Sequence, residues 1–485
     1  MATYDFDIGI IGGGAAGLTV ASGSAQLGAK TLLIEKEKEL GGDCLHFGCV
    51  PSKTLIKSAN VYHHMRHADA FGLPPVEVPP VDFAKIVERI RSVIGTIQHH
   101  DSEERFCDLG VRVEFGQPRF KDENAVEMNG KSYSALKWVV ATGSSPAAPS
   151  IKGLDQTPYL TNKDLFYLDR LPQSMIVLGG GPIGSEMSQA FNRLGTQVTV
   201  IDKSPQILAK EDPDMADVVQ NVLSAEGVRF YLESRIEAVR DLGGQKEVRI
   251  RTKNGETLPL KAECILVALG RTANVDGLGL GAIGVEHGRG GITVDRRLRT
   301  RRKHIFAAGD CSGGYQFTHA AGYEGGIVVT NAIFRLPRKV DYTYLPWCTY
   351  TDPPLGSIGV NEKTAREAGI AYEVYTEEFR NNDRSLAEGE RIGKIKLLLD
   401  EKENPIGVQI LGPHAGDLLG EWAAVLNGKV KLSTLASAIH PYPTIGEINK
   451  KVAGTYFSPK IFSDKVRKGL KFFFHTKGRA CTLQE

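Results

Sequence analysis

An α/β fold made of two copies of one strand–glycine loop–helix unit, followed by a separate α+β part, is what this 485-residue chain predicts. Three observations predict it. A glycine-rich turn with an apolar run before it and a small-residue helical stretch after it occurs twice. Each copy closes on an acidic residue at the same distance, and past residue 340 the pattern changes to strand-rich segments followed by helical ones.

Residues 6–11 (FDIGII) are apolar nearly throughout, as a strand buried on both faces is. They run into Gly12-Gly13-Gly14-Ala15-Ala16-Gly17, a helical stretch (LTVASGSAQLG) and a second apolar run, TLLIE, that ends at Glu35. Residues 175–178 (MIVL) open the second copy, with Gly179-Gly180-Gly181-Pro182-Ile183-Gly184, the helical SEMSQAFNRLG and the strand QVTVI up to Asp202. In both copies the acid stands 18 positions after the third glycine. One such loop is a weak signal, whereas two in matching contexts define Rossmann-like dinucleotide-binding domains. The first glycine permits the tight turn, the second lets the backbone approach a pyrophosphate, and the third lets helix and strand touch. The helix N-terminus offers unpaired N–H groups to the anion, and Glu35 and Asp202 are placed to accept hydrogen bonds from ribose hydroxyls.

Between the copies, residues 111–141 alternate and turn like a small antiparallel sheet ending in Ala141-Thr142-Gly143, and residues 247–270 form a comparable stretch ending in ILVALG. After residue 340 come AYEVYTEEF, GKIKLLLD and PIGVQILG, which read as strands of an α+β domain.

Composition narrows the function classes. At 52.7 kDa the chain has room for about three domains. Lys+Arg 59 against Asp+Glu 57 leaves +2, which carries neither a nucleic-acid footprint nor an acidic disordered character. Seven cysteines do not make a secreted disulfide framework, and the N-terminus runs straight into a strand without the pattern of a signal peptide. No apolar run is long enough to span a bilayer, so the expectation is a cytoplasmic protein in a reducing compartment.

Directly after the first unit stands Gly41-Gly42-Asp43-Cys44-Leu45-His46-Phe47-Gly48-Cys49-Val50-Pro51-Ser52-Lys53. Two cysteines five apart invite a redox reading, with reduced structural thiols or half of a metal site as alternatives; no second Cys or His pair at zinc spacing accompanies them. An ideal helix sets positions i and i+5 about 140° and 7.5 Å apart, so a bond between them needs a distorted turn, which Gly48 can supply. Pro51 suits the first turn of the helix that continues as SKTLIKSANVYHHMRHA. On the residues alone, Lys53 reads as a solvated helix lysine and Glu186 as a carboxylate in a first helical turn.

This segment resembles the active-site stretch of the FAD-dependent pyridine nucleotide–disulfide oxidoreductases, the family of lipoamide dehydrogenase, glutathione reductase and mercuric reductase. The resemblance covers nearly the whole chain. Its further marks follow in order: residues 141–143, the second glycine loop, Ala268–Arg271 (ALGR), Phe306–Asp310 (FAAGD), Tyr350–Gly359 (YTDPPLGSIG) and Pro443–Glu447 (PTIGE).

The resemblance implies an FAD domain split between 1–150 and 275–340, an NAD(P) domain at 151–274, and a dimerisation domain with a basic tail at 341–485. It implies that Gly12, Gly14, Gly17 and Glu35 hold the ADP half of FAD and Asp310 its ribitol. Thr318 is implied to open a helix whose positive end faces the flavin. Gly42, Asp43, Gly116, Thr142, Gly143 and Gly270, in or beside these motifs, are assigned to cofactor binding. Gly179, Gly181, Gly184, Asp202 and Lys203 are assigned to the nicotinamide dinucleotide. Asp202 favours NADH, while the neighbouring Lys203 can tolerate the phosphate of NADPH. Lys53 is implied to lie near the flavin's hydride-accepting nitrogen, paired with Glu186. Cys44 and Cys49 are implied to form the redox disulfide, Cys49 next to the flavin and Cys44 as the interchange thiol.

One departure bears on substrate. Disulfide-exchanging relatives carry a histidine immediately before Pro-Thr, oriented by a glutamate five residues on. Here Glu447 is present but Tyr442 stands in the histidine's place, with His440 two residues earlier, as a displaced base or a loop histidine. A phenol titrating near ~10 is a poor base at neutral pH. Tyrosine there is similar to the mercuric reductase branch, where soft thiolates capture a metal directly, at Cys44 and Cys49 in this chain. That branch also carries a vicinal cysteine pair near its C-terminus, and this tail has only Cys481. The expectation is therefore a homodimer in which Tyr442 and Glu447 complete the site around Cys44 of the other subunit. It would be an NAD(P)H-dependent reductase of a metal ion or similar electrophilic oxidant, without a structural metal. The alternatives are a dihydrolipoamide dehydrogenase-type disulfide reductase using His440, and a redox-responsive flavoprotein binding module.

Cys107, Cys264, Cys311 and Cys348 read as reduced packing residues. The tail, with Lys465, Arg467, Lys468, Lys471, Lys477, Arg479 and Phe472–Phe474, reads as a docked terminal helix, with weak contact to an anionic membrane surface as the alternative.

Overall fold

The computed structural model describes residues 3–481 and divides the chain into two compact units, 1–209 with 220–342, and 210–219 with 343–485.

In the first unit, Phe6–Ile11 sits at the centre of the larger sheet, paired in parallel with Thr31–Glu35 on one side and Lys131–Val140 on the other. Such a strand is covered on both faces, which is why it is apolar without alternation. Ile8, Ile10 and Leu33 pack with Val20 and Ile327 from the helices Ala15–Gln26 and Thr318–Ala332, and Ile11, Leu32 and Ile34 pack with Trp138 on the opposite face. Ile305–Ala307 adds in parallel to Lys131–Val140, so the FAAGD segment returns to the first sheet across more than a hundred residues of chain.

The antiparallel expectation for 111–141 is correct only from residue 119 onward. Val111–Phe115 pairs in parallel with Thr31–Glu35. The helix Glu103–Asp108 leads into it, so the strand arrives by a helical crossover, the connection that parallel pairing requires. Arg119–Phe120, Ala125–Met128 and the start of Lys131–Val140 form the antiparallel remainder. The stretch 247–270 divides likewise. Its first part belongs to an antiparallel sheet of Arg235–Asp241, Lys246–Arg251 and Thr257–Ala262. Cys264–Val267 instead joins a parallel sheet in the order 229–231, 197–201, 174–178, 264–267.

The second unit holds an antiparallel sheet in the order 346–349, 355–359, 405–411, 394–399, 373–378. The helices Ala415–Asn427 and Glu447–Ile461 pack on it through Leu419, Trp422, Ile448 and Val452, and the Trp422 indole donates to Asn449 Oδ1 at 2.8 Å. Lys396 is fully buried in this unit, its Nζ 2.8 Å from Asp212 and 2.9 Å from Asp214, with Glu362 at 2.5 Å.

Two expectations fail on burial. The tail does form a helix, Asp464–Phe474, but none of its residues is buried, so it is not a docked cover. Of the four presumed packing cysteines only Cys311 is buried; Cys107 is exposed, and Cys264 and Cys348 are half-buried. Among the described residues no helix is long and apolar enough to cross a membrane.

Candidate active site

The two glycine loops repeat one geometry. Gly12 and Gly179 take φ of +109° and +106°, and a Cβ on them would lie 2.3 Å from the Ala141 carbonyl oxygen and 2.6 Å from that of Ala268. A Cβ on Gly17 would fall 1.8 Å from the Gly12 oxygen, and one on Gly184 1.9 Å from the Gly179 oxygen. Those four glycines are demanded by the protein's own packing. The middle ones are not: a Cβ on Gly181 meets nothing within 4 Å, and one on Gly14 meets only Gly42 Cα at 3.9 Å. The helices that follow, Ala15–Gln26 and Pro182–Leu194, have no side-chain cap and no acid in the first turn; Glu186, read from the sequence into a first turn, is the fifth residue of its helix and falls in the second. Bare backbone beside an uncapped, electropositive helix end is what an anionic pyrophosphate requires, so both sites fit a dinucleotide.

Glu35 and Asp202 also brace their own loops. Glu35 accepts from the Gly13 amide at 2.6 Å and Asp202 from the Gly180 amide at 2.6 Å; their second oxygens accept from the amides of Glu37 and Ser204 at 2.8 and 2.7 Å. Lys203 is exposed beside Asp202.

The remaining cofactor candidates gather less evenly. Arg271 of the ALGR segment pairs with Asp43 at 2.9 Å, lies 3.8 Å from Asp310, and donates to the Ser144 hydroxyl and carbonyl at 2.7 and 2.8 Å. The Ser144 hydroxyl in turn bonds Asp310, whose carboxyl is pushed up by burial. Three segments distant in sequence thus meet at the Arg271 guanidinium; the sequence marks Arg271 only as the end of ALGR, with no role, and does not mark Ser144. Thr142 commits its hydroxyl to the Asn274 carbonyl at 2.6 Å, and the Gly143 carbonyl accepts from the Asn274 amide at 3.0 Å. Gly42 approaches Gly14, where a Cβ would stand 2.8 Å from the Gly14 Cα. Gly116 is explained by packing, since a Cβ there would lie 2.7 Å from Met128 Sδ, and Gly270 takes φ +108° in an open turn.

The cysteine pair lies across a break between two helices, Gly42–His46 and Cys49–Arg66. A Cβ on Gly48 would be 2.9 Å from the Asp43 carbonyl and 3.2 Å from Cys44 Cα, so glycine is what allows the chain to double back and bring position i+5 to position i. Both cysteines are free thiols in a dithiol pair. The hydrogen bond from Cys44 pulls the Cys49 thiol from the ordinary 9.0 down to about 6; burial opposes this, and the Thr318 hydroxyl and the Lys53 charge assist. The Cys44 thiol is pushed up for the reciprocal reasons, the bond to Cys49 first and burial second. Cys49 Sγ lies 3.4 Å from Thr318 Oγ1, at the uncapped start of the helix Thr318–Ala332. Lys53 Nζ meets Glu186 Oε2 at 2.7 Å. Asn162 ties this segment down, donating to Asp43 at 3.2 Å and to the Phe47 carbonyl at 2.9 Å.

Among the C-terminal candidates, Tyr442 donates its hydroxyl to Asp383 at 2.8 Å, and Glu447 opens the helix Glu447–Ile461. The bond to Asp383 pushes the phenol further up. His440 Nε2 faces Glu421 at 3.1 Å, and its Nδ1 faces the Ala438 carbonyl at 3.3 Å. Asp383 and Glu421 carried no signal in the sequence, because both lie on helices that only the folded sheet brings near residues 440–442.

A two-loop dinucleotide scaffold with a dithiol beside a positive helix end defines a flavoprotein disulfide oxidoreductase. The chain belongs to the pyridine nucleotide-disulphide oxidoreductase family, which is FAD-dependent and uses NAD(P)H: residues 6–325 match that family and 345–453 its dimerisation domain. It is 35% identical over 450 residues to a mercuric reductase of Bacillus cereus, covering 92% of this chain and 70% of that one. It is 33% identical to a dihydrolipoyl dehydrogenase of Bacillus subtilis, covering 91% of this chain and 96% of the relative. Among solved structures it is similar to the HOCl-induced flavoprotein disulfide reductase RclA from Escherichia coli (TM-score 0.83, 26% identity, 92% and 99% coverage) and to the Cu(II) complex of that protein, with the same values.

Proposed function

We propose that this chain is an NAD(P)H-dependent reductase of thiophilic metal ions such as Hg(II) or Cu(II), or of a similar electrophilic oxidant, acting through Cys44 and Cys49. The observation that carries this is the Tyr442–Asp383 hydrogen bond. Where disulfide exchange needs a base, this chain holds a phenol whose proton is tied to a carboxylate.

The chemistry FAD supplies when bound is two-electron transfer from a reduced nicotinamide to sulfur. The protein's part follows from its own groups. Gly14 and Gly181 leave backbone bare for pyrophosphates, and the hydrogen bond from Cys44, assisted by Thr318 and Lys53, keeps Cys49 anionic at neutral pH. Cys44 retains its proton until a soft cation displaces it, and the two sulfurs then serve as ligands. The balance is Hg(II) + NADH → Hg(0) + NAD⁺ + H⁺, or two Cu(II) reduced to two Cu(I) for each NADH. The one proton released needs no imidazole to carry it. The mercuric reductase relatives and the Cu(II) complex of the structural neighbour support this choice of substrate. The dimerisation domain supports a homodimer in which Tyr442 and Glu447 meet Cys44 of the other subunit. Asp202 at the end of the second loop's strand favours NADH over NADPH.

A second reading rests on His440 and Glu421, themselves an imidazole–carboxylate pair. A screen of NADH oxidation across metal ions and disulfides, on wild type, Cys44→Ser, Tyr442→Phe and His440→Ala, separates the two. Metal turnover that vanishes in Cys44→Ser and survives in the other variants supports the proposal. Brisk dihydrolipoamide turnover that is lost in His440→Ala selects the second reading.

A further inference from the structure

The strongest feature outside the redox centre is the helix Asp464–Phe474, which lies beyond the family's matched dimerisation domain at 345–453. Eleven residues form it and none is buried. Its apolar residues other than Phe472 nevertheless fall on one side: Val466, Leu470, Phe473 and Phe474 follow the i, i+4, i+7, i+8 spacing of a single helical face. Phe472, Phe473 and Phe474 are 75%, 73% and 74% exposed. Isolated exposed apolar residues such as Phe472, on the opposite side, are ordinary, but Val466, Leu470, Phe473 and Phe474 together form an exposed apolar face that water does not favour. Along 463–481 the charges are Lys465, Arg467, Lys468, Lys471, Lys477 and Arg479 against the single acid Asp464.

We propose that this helix lies flat on an anionic lipid surface, with Phe473 and Phe474 at the boundary between headgroups and acyl chains and its cations among the lipid phosphates. Charge complementarity selects this occupant. Pairing the helix with its own copy would bring together two tails that each carry these six cations against one acid, with no opposite charge to offset them. An anionic headgroup layer offers apolar depth and opposite charge together. A single short helix of this kind gives reversible attachment, so the enzyme it tethers exchanges between membrane surface and solution. None of these residues belongs to the redox centre, so membrane attachment does not depend on which substrate is reduced.

The test is co-sedimentation of the flavin-loaded full chain with vesicles of phosphatidylcholine alone or mixed with phosphatidylglycerol. The expected result is pelleting with the anionic vesicles only, weakened by added salt. Phe473→Asp with Phe474→Asp, and separately Lys468→Glu with Lys471→Glu, should each lower partitioning by about tenfold or more while NADH oxidation is unchanged. A chain truncated after Phe462 should stay in the supernatant with its oligomeric state intact. Equal binding to neutral and anionic vesicles overturns the proposal, as does vesicle binding that survives truncation. Dissociation of the oligomer on truncation also overturns it, since the helix would then belong to a contact between copies of the chain.

Discussion

Lys53 Nζ lies 2.7 Å from Glu186 Oε2, joining the helix of the cysteine pair to the helix of the second glycine loop across 133 residues. The glutamate side chain is 6% exposed and the lysine 36%, so the pair is one-sided: the carboxylate depends on the ammonium more than the reverse. Removing the lysine leaves a buried carboxylate short of its charge partner. A fully buried pair would lose 3–5 kcal/mol, and solvent at the lysine reduces this to about 1–3 kcal/mol for Lys53→Met. Glu186→Leu added to Lys53→Met should recover part of the loss, which denaturant unfolding of both variants measures. If the double variant is less stable than Lys53→Met, Glu186 is held by its other neighbours and the pair is not the support.

The same lysine sets part of the thiol chemistry. Cys49 titrates at about 6 because Cys44 donates to its thiolate, with Thr318 and Lys53 assisting. Its deprotonated form is therefore present at and above neutral pH and is lost as pH falls through 6. The pH dependence of alkylation in the reduced protein should show a midpoint near 6. Cys44→Ala, which removes the first cause, should move the midpoint up toward the ordinary 9.0, and Lys53→Met should move it up by less. An unmoved midpoint in Cys44→Ala would show that the thiol–thiol hydrogen bond does not control the nucleophile.

Much of this arrangement was legible before the structure, and what was not has a physical reason. The glycine loops are local: strand, turn, helix and acid follow one another within about thirty residues, the span of a βαβ unit, so one reading frame displays them. Gly48 was legible for the same reason, as the one residue between two cysteines that lets the chain fold back. Arg271 was not. Its meaning lies in meeting Asp43, Ser144 and Asp310, and only the assembled sheets bring those positions together. Asp383 and Glu421 escaped likewise, since a carboxylate on a helix carries no sign of which distant ring it will hold. The strand Val111–Phe115 was misread because alternation alone does not reveal whether its partner runs parallel.

Lys396 in the second unit is a support of another kind. Its side chain is 1% exposed and its ammonium is held by Asp212, whose side chain is also 1% exposed, with Asp214 and Glu362 beside it. Lys396→Met leaves three carboxylates facing one another around an apolar side chain. The expected cost is roughly 3 kcal/mol, the lower end for a broken buried pair, because Asp212 keeps the backbone amides of Glu362 and Lys363. Denaturant unfolding should show the shift, and Asp212→Asn added to Lys396→Met should reduce it. A loss no larger than a surface substitution would mean that water replaces the ammonium at little cost.

The glycine loops allow structure to be separated from binding. Gly17→Ala places a methyl 1.8 Å from the Gly12 carbonyl oxygen, and Gly184→Ala places one 1.9 Å from that of Gly179. Both force helix and strand apart and should cost about 1–3 kcal/mol or more of stability. Gly14→Ala and Gly181→Ala meet almost no protein atoms and should leave thermal stability within about 0.5 kcal/mol of wild type when measured without nucleotide. Their methyl groups instead occupy the approach of a pyrophosphate. Gly181→Ala should raise KM for the nicotinamide dinucleotide about tenfold or more while the protein keeps its yellow colour, and Gly14→Ala should purify with little flavin. Thermal melts paired with flavin content and NADH kinetics read both effects. Gly14→Ala retaining full flavin at wild-type affinity would show that the first loop does not carry the pyrophosphate, and the assignment of the two loops would have to be reversed or abandoned.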